Sequence, residues 1–143
     1  MQPKYRHRLP QADDRLMLTD GGLETTLLFH DGFDLPDFAA FVLLATDHGT
    51  EALRRYARTY AELAVARRTG IVIDTPTWRA SSDWGDRLGY DAGELFRVNV
   101  AAVELIGSIR DLETEHTQIV ISGAVGPRGD GYVAGEAMTV EEA

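Results

Sequence analysis

The sequence predicts an α/β fold built on parallel strands, and two observations carry that prediction. Three short apolar runs each end abruptly in a polar, glycine- or proline-rich corner: Leu16-Met17-Leu18-Thr19-Asp20-Gly21-Gly22, Ile71-Val72-Ile73-Asp74-Thr75-Pro76-Thr77, and Ile119-Val120-Ile121-Ser122-Gly123-Ala124-Val125-Gly126-Pro127. Long stretches with helical periodicity separate them. Parallel α/β proteins build their sites at the C-terminal ends of their strands, so the three corners are where function is expected.

Taken in order, residues 1–15 are polar, carry Pro3 and Pro10, and read as an N-terminal tail or a lid laid over the domain. The first strand runs from Leu16 to Thr19. After Asp20, the Gly21-Gly22 pair leads into Leu23–Phe29, which ends at the turn His30-Asp31-Gly32. Leu35-Pro36 begins a second short segment with Phe38, Phe41, Val42 and Leu44 apolar. A better helix follows from about Thr50 to Thr69. Leu53, Tyr56, Tyr60, Leu63 and Ala64 fall on one stripe, with Thr50 as N-cap and Gly70 at the C′ position. A third helix runs from about Ala92 to Glu115, its stripe made by Leu95, Val98, Ala102, Leu105, Ile106, Ile109 and Leu112. The strand starts are roughly 50 residues apart, long for a βα unit, so each connection carries extra structure. Thr139-Val140-Glu141-Glu142 has the form of a capping box and announces a further helix. A parallel sheet needs a covering helix after each strand, so the expectation is a chain cut where that helix begins.

Bulk properties bound the function. A chain of 143 residues with 44% apolar residues is one domain's worth and can bury a real core. A formal charge of −9 argues against nucleic acid as partner, because phosphate binding needs clustered Lys and Arg. With no cysteine the chain forms neither a disulfide nor a thiolate metal site of its own. No apolar run approaches the roughly 20 residues of a membrane helix, and no apolar segment follows the basic N-terminus. A soluble, cytoplasmic protein without a membrane partner is expected.

The corners carry the candidate chemistry. Asp20 before two glycines can hold an ammonium group while the bare backbone approaches a ligand; the same residues also suit an ordinary turn. Asp74 ends the second run but lies inside it, so alternation leaves open whether it faces the site. Thr75, Thr77, Trp78 and Arg79 supply hydroxyls, an aromatic wall and a cation, and an Asp-Trp pair recurs at Asp83-Trp84. Trp78 and Trp84 equally suit packing over a rim. Gly123, Gly126, Gly129, Gly131 and Gly135 suggest a backbone-lined pocket, a mobile loop or tight turns. They form neither a P-loop nor a dinucleotide fingerprint. His7, His30, His48 and His116 lack metal-ligand spacing and read as surface residues.

Leu18-Thr19-Asp20-Gly21-Gly22-Leu23-Glu24-Thr25 resembles the Asp-Gly-Gly-x-x-Thr opening of the homocysteine S-methyltransferase family. Thr75-Pro76-Thr77-Trp78-Arg79-Ala80-Ser81 resembles its second-strand motif, and Gly123-Ala124-Val125-Gly126-Pro127 its third-strand Gly-x-x-Gly-Pro. The resemblance implies a (β/α)8 TIM barrel that moves a methyl group from a small-molecule donor, such as S-methylmethionine or betaine, to the thiol of homocysteine, giving methionine. It implies that Asp20 binds the amino group of homocysteine and that backbone amides around Gly21, Gly22 and Leu23 take its carboxylate. Thr77 and Trp78 would line the methyl-donor side.

Two departures stand out. Many members have Asn where this chain has Pro76. The family also implies zinc held by three cysteines in the second half of the barrel, and this chain has none. At 143 residues it falls short of the about 250 of a complete barrel. The expectation is therefore an incomplete barrel domain over residues 16–143, about three βα units of the N-terminal portion, inactive by itself. Two other readings stand beside it: a different barrel enzyme using Asp20 and Asp74 as acid/base or metal ligands, and a non-enzymatic interaction module.

Overall fold

Strands β1 (Met17–Thr19), β2 (Gly70–Asp74) and β3 (Ile119–Ser122) form one parallel sheet in the order β1-β2-β3 in the computed structural model. The structure describes residues 4–5, 7–13, 15–133, 135 and 139–141. Thr19 pairs with Val72 and Val72 with Val120, while Asp74 pairs with Ser122. That register brings all three polar corners to the same edge of the sheet. The parallel order and the strand positions expected from the apolar runs both hold.

Side-chain alternation sorts the sheet into two faces. Ile71, Ile73 and Ile119 are fully buried against Ala57, Ala61, Ala64, Ile106 and Ile109 of the covering helices, with Leu18 and Ile121 packed alongside. A second cluster joins Leu27, Leu35, Ala40, Leu43, Ala52, Leu53 and Leu105. It fastens helix α1 (Leu23–Phe29) and the 3-10 turns Pro36–Phe38 and Ala40–Ala45 onto helices α2 (Asp47–Arg67) and α4 (Ala92–Gly107).

Helix α2 starts earlier than its periodicity suggests. Thr46, not Thr50, is the N-cap and accepts a hydrogen bond from the Gly49 amide at 3.1 Å. Gly49 lies so close to Leu43 that a Cβ there would overlap the Leu43 carbonyl, which lets the 3-10 turn run straight into the helix. At the other end the left-handed cap is Arg68 (φ 54°), not Gly70. Gly70 belongs to β2, where the Met17 thioether fills the space of its missing side chain. On the buried stripe Leu63 is exposed, and the alanines Ala57, Ala61 and Ala64 take the contact, bringing helix and sheet close together.

The expected third helix is divided. A separate short helix, α3 (Ser82–Leu88), precedes it and ends at Gly89 in the left-handed region. Helix α4 begins behind Asp91, whose side chain accepts from the Glu94 amide while Glu94 accepts from the Asp91 amide. It stops at Gly107 and passes into a 3-10 turn, Ser108–Leu112. Asp91→Ala removes this reciprocal cap and is expected to cost about 1 kcal/mol, read as a lower urea midpoint with an unchanged slope.

The described part of the N-terminal segment lies at the edge of the sheet opposite the corners. Lys4 and Tyr5 both hydrogen-bond Glu113, which itself accepts from the Ile119 amide at the start of β3. Of the Thr139–Glu142 capping box, Glu142 lies outside the described residues; Val140 and Glu141 form a turn. Among the described residues no helix is long and apolar enough to cross a membrane.

Candidate functional site

Where the corners of β1 and β2 meet that of β3, they enclose a cavity of about 230 Å³. Asp20, Gly21, Gly22 and Leu23 line it from the first corner, with Glu24 from α1. Asp74, Thr75 and Trp78 line it from the second, and Ala124 from the third. A larger hollow of about 440 Å³ lies at the opposite edge, among Arg15, Arg67, Arg68 and Gln118. Arg67 and Arg68 there sit at the C-terminus of α2, where cations suit the helix dipole.

Asp20 is held from two sides. The Asp74 amide donates to its Oδ1 at 3.1 Å, and the Tyr56 hydroxyl lies 3.2 Å from its Oδ2. Tyr56 reaches the Gly21 carbonyl at 2.9 Å, and Tyr60 donates to the same carbonyl at 2.8 Å. Burial pushes the Asp20 carboxyl above its ordinary pKa; the Asp74 amide pulls it down, and the Asp74 charge adds to the rise. Burial also raises Glu24, with Asp20 adding to the rise and Arg79 opposing it. Tyr56 is raised too, by burial first and then by the Asp20 charge, so it stays a neutral donor. The Asp74 charge disfavours that of Asp20, and the Asp20 charge disfavours that of Glu24, so this half-buried acidic cavity favours a cation.

Gly22 adopts φ 71°, the left-handed region, so a side chain there is strained although the space around it is open. Gly21 likewise has nothing within 4 Å of a built Cβ, leaving its backbone accessible. Asp74, left open by alternation, lines the cavity.

Thr77 is buried and stands behind the cavity wall. Thr75 Oγ accepts from the Ala124 amide at 3.1 Å and shares a 2.7 Å bond with Thr77 Oγ, which donates to the Ala124 carbonyl at 2.8 Å. This closed ring ties the second corner to the third. Thr77→Val keeps the shape but leaves the Ala124 carbonyl without its partner. It is expected to cost about 1–3 kcal/mol, read by chemical denaturation, with the far-ultraviolet spectrum unchanged.

The glycine-rich third corner serves close approach. A Cβ on Gly126 would overlap the Trp78 carbonyl, and one on Gly131 would lie 3.1 Å from Pro127 and 3.5 Å from the Trp78 ring. The Trp84 indole donates to the Gly129 carbonyl at 2.9 Å, and the Gly129 amide donates to Asp83 at 2.6 Å. Trp78 meets Tyr132 edge-on at 5.9 Å. Trp78 thus lines the cavity and anchors the loop above it.

The polar role of Tyr56 and Tyr60 is hidden in the sequence, because their spacing suits a buried stripe. The available signal is two hydroxyl-bearing rings four residues apart on a face otherwise rich in alanine. All four histidines are exposed.

Parallel strands with a small acidic cavity at their C-terminal edge define a small-ligand-binding α/β protein. The chain belongs to the homocysteine S-methyltransferase family, whose family model matches residues 17–143. No curated protein and no solved structure matches the chain significantly. At the family level the match implies methyl transfer of the homocysteine S-methyltransferase type. Zinc, on which the family depends in general, does not fit the residues present. The chain has no cysteine, and the described residues contain no group of three or more His, Asp or Glu able to hold a metal.

Proposed function

We propose that this chain forms the amino-acid-binding side of a methyltransferase site that accepts homocysteine and a small onium methyl donor. Residues 16–143 supply about three βα units of a (β/α)8 barrel. The observation that carries the reading is Asp20: a half-buried carboxylate, oriented by the Asp74 amide and the Tyr56 hydroxyl, inside a cavity of amino-acid size. Asp20 receives the ammonium group of homocysteine, with Glu24 adding negative charge. The exposed backbone of Gly21, Gly22 and Leu23 takes the carboxylate. Trp78 borders the donor side, and Thr77 positions it through the ring with Thr75 and Ala124.

In the reaction the homocysteine thiolate forms a bond to the methyl carbon as the donor's onium–methyl bond breaks, and the bonding pair stays on the donor's onium atom, which is left neutral. The thiolate is the nucleophile, so its proton must be lost first. The described residues offer no metal group to favour that loss, and the chain by itself is proposed to be inactive. Calorimetric titration tests the binding role by comparing homocysteine with 4-mercaptobutyrate, which keeps thiol and carboxylate but lacks the amine. Homocysteine is expected to bind about tenfold tighter or better, the scale of a charge-assisted hydrogen bond. Equal affinities would remove the assignment of Asp20. Methionine formation by the purified chain would contradict its inactivity.

A further inference from the structure

Strand β3 ends the sheet, so among the described residues one of its sides has no neighbouring strand. The Gln118 carbonyl accepts from the Ile71 amide, and the Ser122 carbonyl accepts from the Thr75 amide. The even-numbered residues therefore turn their main chain toward β2, and Ile119 and Ile121 turn theirs outward. Outward groups of this kind are a template for pairing with another chain. At Ile119 side chains occupy both of them. The amide donates to Glu113 Oε1 at 2.9 Å, and the carbonyl accepts from Arg110 Nε at 3.2 Å. The N-terminal segment closes over this pair. Tyr5 donates to Glu113 Oε1 at 2.6 Å, and Lys4 donates to Glu113 Oε2. The Arg110 guanidinium lies 5.5 Å from the Tyr5 ring centre. Only 13% of the Glu113 side chain remains accessible. Burial works against its charge, yet the bonds from Lys4, Tyr5 and the Ile119 amide hold its carboxyl below the ordinary value.

We propose that Lys4, Tyr5, Arg110 and Glu113 form a plug that closes the open side of β3 against pairing with a second copy of this chain. The inference is independent of the methyl-transfer reading. A second copy is the occupant that the geometry selects, because one edge on two molecules matches itself through a two-fold axis. Strand β3 spans Ile119–Ser122, so Ile119 and Ile121 are its outward residues. In an antiparallel pair centred on Val120, Ile119 of each copy faces Ile121 of the other. Four main-chain hydrogen bonds result, and each uses either an Ile119 amide or an Ile119 carbonyl. Glu113 takes the first group and Arg110 the second, so the plug stands in the way of all four. Charged side chains are a common guard on edge strands. Here the guard is held by residues 108 and 109 positions away in the chain, so release of the N-terminal segment loosens it.

Sedimentation equilibrium of the full chain, with amide exchange followed residue by residue, tests the proposal. Glu113→Ala removes the acceptor of the Ile119 amide together with the anchor of Lys4 and Tyr5. The variant is expected to self-associate at least about tenfold more tightly than wild type, the scale of one net hydrogen bond. Exchange of its Ile121 amide is expected to slow as the concentration of the variant rises. Should Glu113→Ala fail to fold, the double variant Lys4→Ala with Tyr5→Ala decides in its place. It loosens the plug from outside and leaves β3, Arg110 and Glu113 intact, and the same tightening is expected. A folded variant that associates no more tightly than wild type overturns the proposal. So does tighter association that leaves Ile121 exchange unchanged, because the contact then lies elsewhere on the molecule.

Discussion

Gly126→Ala is expected to destabilise the chain by about 2–3 kcal/mol, a fall in Tm on the order of 5–10 °C for a domain of this size. The new methyl group would overlap the Trp78 carbonyl oxygen and come within 3.0 Å of the Trp78 carbonyl carbon and 3.1 Å of its ring. The obstacle is backbone, so no rotamer change relieves it, and the third corner must separate from the second. That separation pulls on the Thr77–Ala124 bond and on the bond from Trp84 to Gly129. Gly123→Ala is the control, because a Cβ there meets nothing within 4 Å. Thermal melts of both variants check the argument: Gly126→Ala melting with wild type would show that the corners are not pressed together at Trp78.

Asp20→Asn is expected to move binding and stability in opposite directions. The carboxamide loses the charge proposed to receive the ammonium group, so homocysteine affinity is expected to fall about 10- to 100-fold, the range of a hydrogen bond to a charged group. Stability rises at neutral pH. Burial raises the Asp20 pKa in the folded chain above its unfolded value, so over that interval the folded state holds more protons than the unfolded one. Stability therefore falls as pH rises from the ordinary aspartate range through the raised value, and at pH 7 the ionised carboxylate opposes folding. The uncharged carboxamide of the variant escapes that cost. Urea titrations at pH 4 and pH 7 test the sign: the variant gains over wild type at pH 7, and the gain shrinks at pH 4. A variant less stable than wild type at pH 7 would mean that the bonds from Asp74 and Tyr56 outweigh desolvation.

What the sequence made legible followed from local patterns. The strands were readable because Ile71-Val72-Ile73 and Ile119-Val120-Ile121 are β-branched runs bounded by helix and turn residues. The first corner was readable because Asp20-Gly21-Gly22 concentrates a charge and two bare backbone units. Helix limits were less so. Thr46 and Thr50 are both acceptable caps, and the close approach of Gly49 to Leu43, a tertiary fact, selects the first. Gly70 looks like a helix stop until Met17 is seen to fill the place of its side chain. In the cavity, Glu24 and Tyr56 come from helices, and their spacing carries no sign of the partner they meet across the sheet. Arg79 reads as an ordinary loop cation, since nothing local shows that Trp84, five positions on, folds back over it.

The two hydrogen bonds that α2 sends to the Gly21 carbonyl fix more than an oxygen atom. A trans peptide is a rigid plate whose C=O and N–H point in opposite directions. Pinning the Gly21 carbonyl toward Tyr56 and Tyr60 therefore turns the Gly22 N–H away from them. A pair of glycines is the most swivelling dipeptide a chain can carry, and here its free rotation is spent during folding rather than at the moment a ligand arrives. The phenols act as a latch on a hinge, and the Gly22 N–H on the far side of the plate keeps one direction before any ligand arrives.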